Sequence, residues 1–311
     1  MKEQQGVLLA ELGGTKARLA ITKDSKTFSE YEEFFMKDFI SAEEIFNTYF
    51  EKKGFLFRKA IIGVAAPIIN EKVVFTNSKV SFDLKSLKQN FFDIELTVLN
   101  DLEMQAYAIN SLSEDELSLI GIEPPIKKGP KVLVSPGTGL GLAGIIGDYV
   151  VFTEGGHIQI PYGIDTFNLI IKDFFKRNQR YPTFEDFLSG KGITYIYNFL
   201  NDSDLDNISN EEILMNKENS SCIKTRKLFF KLFALYLRFA ALMWGSLSGV
   251  YISGSIANSL FDIESESAFR KAFEESDKMQ DLLLSIPIYL VKDVDLGLRG
   301  GLVMASKLKT I

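Results

Sequence analysis

Short apolar runs broken by polar or small residues dominate the first hundred positions, and this pattern predicts a mixed α/β lobe. Alternation with a period of two predicts strands, and apolar residues three to four apart predict helices. Helices are predicted from Ser41, where Glu44 suggests a capping box, and over residues 83–90 behind an aspartate cap. Hairpin strands followed by helix–strand units are typical of an α/β fold. The predicted strands cover residues 6–10, 17–22, 29–35, 59–65, 73–76 and 95–99.

The same order, hairpin strands and then helices, recurs after a turn-rich connection at residues 121–130. This recurrence predicts a duplicated α/β fold. We read residues 201–212 as a solvated loop and Gly254-Ser255 as a turn. Further strands are predicted at residues 131–135, 139–146, 149–153, 249–253 and 287–291, and further helices at 101–111, 165–177, 190–200, 223–247, 267–273 and 296–308.

Length and charge narrow the class of protein. A chain of 311 residues suits two lobes better than one simple core, and a net charge of −6 argues against a nucleic-acid partner. The apolar segment 228–247 carries Lys231 and Arg238, so a buried helix is favoured over a membrane span. A single cysteine, Cys222, excludes a disulfide framework and a thiolate metal cluster. Without a signal-like N-terminal pattern, we expect a cytoplasmic protein.

Two glycine-rich turns, each between two predicted strands, are the strongest chemical signal. They are Glu11-Leu12-Gly13-Gly14-Thr15 and Ser135-Pro136-Gly137-Thr138-Gly139-Leu140-Gly141. Backbone N–H groups beside glycine can approach an anion closely, and the threonine hydroxyls add further donors. We therefore expect both turns to converge, with Asp101 between them, in a crevice that binds a phosphate chain.

Two common nucleotide motifs do not apply here. Residues 139–144 match the G-x-G-x-x-G dinucleotide fingerprint, but a hairpin follows where that fingerprint requires a helix. No acidic residue stands at the spacing that would bind a ribose. The sequence also lacks G-x-x-x-x-G-K-[ST], which excludes a P-loop kinase at the level of motifs.

Two polar clusters are candidates for chemistry. Asn100-Asp101 follows a predicted strand and opens a helix, which suits both an N-cap and a general base facing a cleft. His157, the only histidine, lies in Glu154-Gly155-Gly156-His157. A lone histidine is more often structural, and metal binding would need further ligands. The two glycines between an acid and an imidazole favour hydrogen bonding to a polyol.

At these residues the chain resembles the bacterial glucokinases of the hexokinase–actin superfamily. Five segments match in order: residues 11–18, 99–105, 136–143, 154–157 and 188–190. The resemblance implies a two-lobed, duplicated ribonuclease-H-like (actin/hexokinase) fold with a cleft between the lobes. A small lobe at residues 1–110 would be completed by the C-terminal helix 296–311, and residues 111–295 would form the large lobe.

The resemblance also implies a role for each matching residue. Asp101 would be the catalytic base, and Glu11 would orient hydrated Mg²⁺. Sugar hydroxyls would be bound by Asn77, Asn100, Asp101, Glu154, His157 and Glu185. ATP would be bound by Ala10, Glu11, Leu12, Gly13, Gly14, Thr15, Gly137, Thr138, Gly139, Gly254 and Ser255.

Three departures from the family pattern lie on the nucleotide side. The family has Gly-Asp where this chain has Ala10-Glu11, Gly-Ala in place of Ser135-Pro136, and paired glycines in place of Gly254-Ser255. Pro136 has no N–H to offer a phosphate. The cysteine cluster of the zinc-bearing relatives is absent, so no structural zinc is expected.

The resemblance implies phosphorylation of glucose at its 6-hydroxyl, with ATP and Mg²⁺, by a homodimer that has no membrane or nucleic-acid partner. Two alternatives remain open. One is a catalytically weak sugar sensor of the same fold, suggested by the three departures. The other is a kinase for another hexose or another phosphate donor, such as ADP or polyphosphate.

Overall fold

The computed structural model describes residues 2–3, 6–66, 68–69, 71–75, 80–93, 95–121, 123–125, 127–161, 165–201, 208–261, 263–292 and 295–308. These residues divide into two compact units. One unit comprises Met1–Leu112 with Asp293–Ile311, and the other comprises Ser113–Lys292.

The strands are short and fall into separate sheets in the two units. In chain order they are β1 Lys2–Glu3, β2 Val7–Leu12, β3 Lys16–Thr22, β4 Ser29–Phe35, β5 Phe55–Leu56, β6 Lys59–Val64, β7 Ile68–Ile69, β8 Lys72–Val74, β9 Ser81–Asp83, β10 Glu95–Asn100, β11 Leu117–Leu119, β12 Lys131–Pro136, β13 Leu140–Ile146, β14 Tyr149–Thr153, β15 Val250–Ile252 and β16 Ile288–Val291.

The helices range from one turn to about seven turns. They are α1 Ala42–Lys53, α2 Leu84–Asn90, α3 Asp101–Ala108, α4 Asp165–Asn178, α5 Phe184–Phe187, α6 Gly190–Asn201, α7 Asn210–Met215, α8 Ser220–Trp244, α9 Ser255–Phe261, α10 Glu266–Glu274, α11 Gln280–Leu284 and α12 Leu296–Leu308. In the described part of the chain, none of them is long and apolar enough to cross a membrane.

The first unit is built on a five-stranded mixed sheet with the order β10-β6-β2-β3-β4. β3 runs antiparallel to both β2 and β4, whereas β6 and β10 run parallel to β2. Strand β2 is buried along its whole length, as a central strand covered on both faces should be. A two-stranded sheet pairs β1 with β5. A three-stranded sheet has the order β7-β8-β9.

Alternate residues of β2 face two different helical layers, because side chains along a strand alternate between its faces. Leu8 and Ala10 belong to the core that also contains the aromatic residues of α1. Val7 and Leu9 belong to the core shared with α3 and α12, through residues such as Met104. Glu11 continues the second set, so its side chain is directed towards α3 and α12.

The second unit repeats this sheet. Its order is β11-β16-β15-β12-β13-β14, with β12, β13 and β14 antiparallel and β15 and β16 parallel to β12. Five of its strands thus have the order and directions of the first sheet, and β11 is added antiparallel to β16. The long helix α8 is buried against this sheet and is capped by Gly245, which adopts the left-handed conformation.

Several local predictions are corrected by the structure. Residues 210–212, which we read as loop, begin α7, whereas residues 202–207 lie outside the described residues. Ser255 begins α9 and is not the end of a turn. The capping box at Ser41 is only half formed, because the Glu44 carboxylate accepts from the N–H of Ile40 and not from that of Ser41. The predicted Asp83 cap is confirmed by bonds from the N–H groups of Lys85 and Ser86.

Candidate active site

The Asn100-Asp101 pair forms the junction between β10 and α3 in the first unit. Asn100 is the N-cap of α3, since its Oδ1 accepts from the N–H of Leu102 at 2.8 Å and of Glu103 at 3.4 Å. Asp101 is the first residue of the helix, and its Oδ1 also accepts from the Leu102 N–H, at 2.9 Å. The cap fixes where the strand ends and therefore where the Asp101 carboxylate stands.

Glu11 is buried and its carboxylate is held from two sides. Oε2 accepts from Arg18 Nη1 at 3.0 Å, and Oε1 accepts from Gln105 Nε2 at 2.9 Å. The backbone of α12 closes over the group, because a Cβ on Gly297 would lie 2.5 Å from Glu11 Oε1. The additional methylene of glutamate, relative to the family's aspartate, is thus accommodated in a defined position.

Burial and the neighbouring carboxylate change the acidity of Asp101. Desolvation is the larger cause and the charge of Glu11 is the next, and together they raise the pKa of Asp101 to about 7. The hydrogen bond from the Leu102 N–H opposes this change without cancelling it. A carboxylate with such a pKa can exchange a proton near neutral pH, which an ordinary surface aspartate cannot do.

The first Gly-Thr turn joins β2 to β3. Ala10 and Leu12 are buried within β2, and the N–H of Gly13 donates to the carbonyl of Lys16 at 2.9 Å. A Cβ on Gly14 would meet nothing within 4 Å, and Thr15 is exposed. The open face of this turn therefore lies at Gly14 and Thr15.

The second Gly-Thr turn joins β12 to β13 and contacts the predicted sugar ligand Glu185. The N–H of Leu140 donates to Glu185 Oε2 at 2.8 Å. The carbonyl of Gly137 accepts from the N–H of Gly190, at the start of α6, at 2.9 Å. A Cβ on Gly137 would meet open space, and Thr138 is exposed. The turn is thus fixed from one side and open on the other.

The Glu154–His157 segment lies against the same turn. Gly155–His157 forms a single 3₁₀ turn, and a Cβ on Gly156 would overlap the carbonyl oxygen of Leu140. His157 Nε2 and Glu154 Oε2 are 3.7 Å apart, with side chains 59% and 63% exposed. The second unit therefore brings Glu154, His157 and Glu185 to the neighbourhood of the second Gly-Thr turn.

The remaining predicted nucleotide residues follow β15. Gly254 has φ +99°, a conformation that favours glycine, and a Cβ there would lie 3.0 Å from the carbonyl oxygen of Pro136. Ser255 is the first residue of α9. These residues are therefore neighbours of the strand that leads into the second Gly-Thr turn. Asn77, the other predicted sugar ligand, lies outside the described residues.

Two residues of the site received no role from the sequence, although signals for both were present. Arg18 is the cross-strand partner of Glu11 in the β2–β3 hairpin, so the hairpin register predicts the pair. Gln105 is four residues after Asp101 on α3, which places it one turn along the same face. Both side chains fix the Glu11 carboxylate.

Comparison with known proteins identifies the family of this chain. A family model described as "Glucokinase" matches residues 8–308. The glucokinase of Campylobacter jejuni subsp. doylei is 31% identical over 297 residues, covering 91% of this chain and 89% of its own. The chain belongs to the glucokinase family. The family resemblance found in the sequence is thereby confirmed.

Solved structures of glucokinases share the fold. A glucokinase from an Antarctic psychrotroph superposes with a TM-score of 0.79 at 25% identity, covering 98% of this chain and 100% of its own. The glucokinase of Balamuthia mandrillaris, solved in complex with glucose, gives a TM-score of 0.81 at 18% identity, over 97% and 94% of the two chains. Together with the repeated five-strand sheet, this likeness confirms the predicted duplicated α/β fold of the actin/hexokinase type.

Proposed function

We propose that this member of the glucokinase family transfers the γ-phosphoryl group of ATP to the 6-hydroxyl of glucose. The observation that carries the proposal is Asp101, which stands at the β10–α3 junction beside Glu11 with its pKa raised to about 7. In phosphoryl transfer the protein mainly positions the reactants and stabilises charge, and one carboxylate accepts the proton of the attacking hydroxyl. Asp101 is our choice for that carboxylate.

We assign the phosphate chain to the open faces of the two Gly-Thr turns. Gly14 and Thr15 offer donors in the first unit, and Gly137, Thr138 and Gly139 offer them in the second. Gly254 and Ser255 are assigned to the adenosine. Pro136 offers no N–H, so the donors of this turn must come from the residues that follow it.

The residues fit a magnesium ion that is bound through water. Mg²⁺ usually binds one or two carboxylates together with substrate phosphates and keeps several waters. Both Glu11 oxygens already accept hydrogen bonds, yet a carboxylate has about four lone-pair positions, so Glu11 can also accept from a metal-bound water. The bound ion would neutralise charge that develops on the phosphoryl oxygens.

We assign the sugar hydroxyls to Asn77 and Asn100, to the exposed pair Glu154 and His157, and to Glu185. Glu185 Oε2 accepts from the backbone of Leu140, so Oε1 is the oxygen that we assign to a hydroxyl. We propose that the ligands are divided between the two predicted lobes. Asn77 and Asn100 belong to the lobe of residues 1–110 with 296–311, and Glu154, His157 and Glu185 belong to the lobe of residues 111–295.

A coupled assay with Mg²⁺-ATP and a panel of hexoses tests the proposal. We expect glucose 6-phosphate as the product, and a fall in kcat of roughly 10²–10⁴-fold for Asp101→Asn, with glucose binding retained. Glu103→Gln, on the same helix, serves as the matched control and should keep its activity. Full activity of Asp101→Asn would remove Asp101 from this role.

The second candidate, a sugar sensor with weak or no catalysis, is motivated by Glu11, Pro136 and Ser255. It would replace the kinase proposal if no hexose is phosphorylated with ATP, ADP or polyphosphate while glucose still raises the melting temperature. The proposed kinase would act in the cytoplasm as a homodimer. Light scattering combined with size-exclusion chromatography tests the dimer, and a mass of one 35.0 kDa chain would contradict it.

A further inference from the structure

A cavity in the unit Ser113–Lys292 adjoins the proposed sugar site, with which it shares Glu154. It has a volume of about 630 Å³ and lies between the β13–β14 strands and the C-terminal half of α8. This volume is within the range of pockets that bind small molecules, and such pockets are mostly apolar with a few placed polar groups. Its apolar wall consists mainly of Leu142, Phe184, Phe239, Leu242, Met243 and Trp244.

One residue of the cavity wall carries a buried polar group without a partner among the described residues. Tyr236 is 2% exposed and lines the cavity, and its hydroxyl has no hydrogen-bond partner among the residues that the structure describes. The hydroxyl stands beside Gly155, since a Cβ there would lie 3.1 Å from Tyr236 Oη. The nearby Thr153 hydroxyl already donates to the carbonyl of Leu142 at 2.9 Å. A buried polar group left unpaired lowers stability, so a ligand that reaches the Tyr236 hydroxyl and pairs with it would gain binding energy.

The charges around the cavity decide which ligand fits. Burial and the charge of Glu185 raise the pKa of Tyr236, so the hydroxyl stays protonated and acts as a donor. Glu154 is part of the wall, and none of the described lining residues is Lys or Arg. The last turn of α8, which ends at Trp244, adds the partial negative charge of a helix C-terminus. An anion is therefore disfavoured, and an uncharged acceptor is favoured.

We propose that this cavity is a binding site for an uncharged, mainly aromatic molecule with one hydrogen-bond acceptor that pairs with the Tyr236 hydroxyl. The ring packs against Phe184, Phe239 and Trp244, and the acceptor points towards Gly155. The site borders the sugar ligands assigned above, because Glu154 belongs to both, and its occupation requires neither substrate.

The only tryptophan of the chain, Trp244, lines the cavity and reports its occupation. Three probes of similar size separate the effects of the acceptor and of charge on binding. Benzyl methyl ether has the acceptor, propylbenzene lacks it, and phenylacetate carries a charge. We expect a saturable change in Trp244 emission, with the ether bound about 2–10-fold more tightly than propylbenzene and phenylacetate bound most weakly. Equal affinity for the ether and propylbenzene, or no saturable response to either, overturns the proposal.

Two variants and one control test whether the probes bind in this cavity and whether the Tyr236 hydroxyl is the donor. Tyr236→Phe should reduce the ether-to-propylbenzene ratio to about one while propylbenzene binding is kept. Ala240→Leu should fill the cavity and abolish the response to both probes. Tyr251→Phe changes a buried tyrosine of β15 that does not line the cavity and should leave the ratio unchanged. A ratio that survives Tyr236→Phe would overturn the assignment of the donor, and no arm of the experiment depends on sugar phosphorylation.

Discussion

Asp101 and Glu11 are two carboxyl groups held close together in a poorly hydrated part of the first unit. Glu11 keeps a fixed position because Arg18, Gln105 and the backbone at Gly297 surround it. Asp101 therefore bears the unfavourable charge and has the raised pKa. This arrangement opposes ionisation in the free protein, and a cation or a proton from substrate relieves it. The pair thus fits the proton and metal roles that we propose for it, and the raised pKa of Asp101 lowers the stability of the protein.

This loss of stability can be measured as a pH dependence of the free energy of unfolding. The pKa of Asp101 is about 7 in the folded protein and near 3.9 in an unfolded chain, so the folded state binds the proton more tightly between these values. The free energy of unfolding should therefore fall as the pH rises from about 4 through 7. Asp101→Asn removes this contribution and should be more stable than the unmodified protein by about 1–3 kcal/mol at pH 8, with the difference vanishing near pH 4.

Urea denaturation at a series of pH values, without divalent cations, measures this difference. Asp38→Asn alters an exposed carboxyl group and serves as the control, for which we expect no comparable trend. A constant difference between Asp101→Asn and the unmodified protein from pH 4 to pH 8 would contradict the raised pKa.

At the residue scale, the sequence could predict which groups belong to the candidate site but not how they behave. Glycine-rich turns and a strand-end carboxylate are local signals, so Gly14, Gly137 and Asp101 could be identified. The raised pKa of Asp101 depends on burial and on the charge of Glu11, which lies far away along the chain. Pairwise distances of that kind cannot be predicted from local spacing.

At the scale of elements, α3 is positioned by very close contact with α12. A Cβ on Gly300 would overlap the carbonyl oxygen of Met104, so the two backbones touch without a side chain between them. We expect Gly300→Ala to force α12 away and to destabilise the protein by about 1–3 kcal/mol or more, measured by denaturant unfolding. Gly14→Ala, where a Cβ meets open space, is the matched control for stability. Equal stability of the two variants would show that α12 can move aside freely.

Two buried arginines hold the ends of short helices in the second unit. Arg226 donates to the carbonyls of Ile213, Leu214 and Asn216 at the end of α7, and its Nε pairs with Glu264 at 3.1 Å. Arg270 donates to the carbonyls of Leu283, Leu284 and Ile286 at the end of α11, and it also pairs with Glu274. Each guanidinium donates to carbonyls at a helix C-terminus, where intrahelical N–H partners run out.

We expect Arg226→Met to destabilise the protein by roughly 3–5 kcal/mol, because Glu264 and three carbonyls then lose their donor in a buried place. The control is Arg177→Met, whose pair with Asp173 at 2.9 Å is on the surface and should contribute about 0–1 kcal/mol. Unfolding by guanidinium chloride compares the two. Similar losses for both variants would contradict a structural role for the buried guanidinium.

The same contacts explain which elements the sequence could predict. Long elements such as α8 and the hairpin strands have clear periodicity and were predicted close to their observed bounds. The short helices α5, α7, α9 and α11 were not predicted, because four to seven residues give too little periodicity. α7 and α11 are held by arginines that are 10 to 16 residues away in sequence.

At the scale of the whole molecule, one five-strand pattern is used twice with different additions. The first unit adds α12 beneath the sheet, and the second adds β11 at the edge and a layer of helices around α8. The recurrence of hairpin and helix was visible in the sequence because it depends on order alone. The additions were harder to assign, since their partners are distant along the chain.

The Glu154–His157 turn connects two of our proposals, because it is assigned to glucose and also forms part of the Tyr236 cavity wall. Gly156 packs on Leu140 and Gly155 packs beside Tyr236, so the turn lies between the two proposed sites. A ligand on either side reduces the conformational freedom of the turn that the other ligand must otherwise restrict, which gives positive coupling.

We expect saturating glucose to tighten benzyl methyl ether binding about fivefold or more, as read from Trp244 emission. Linkage requires the ether to tighten glucose binding by the same factor, which calorimetry measures in the same buffer. Because each ligand is also titrated alone, a factor of one with both ligands bound would reject the coupling while leaving both sites in place.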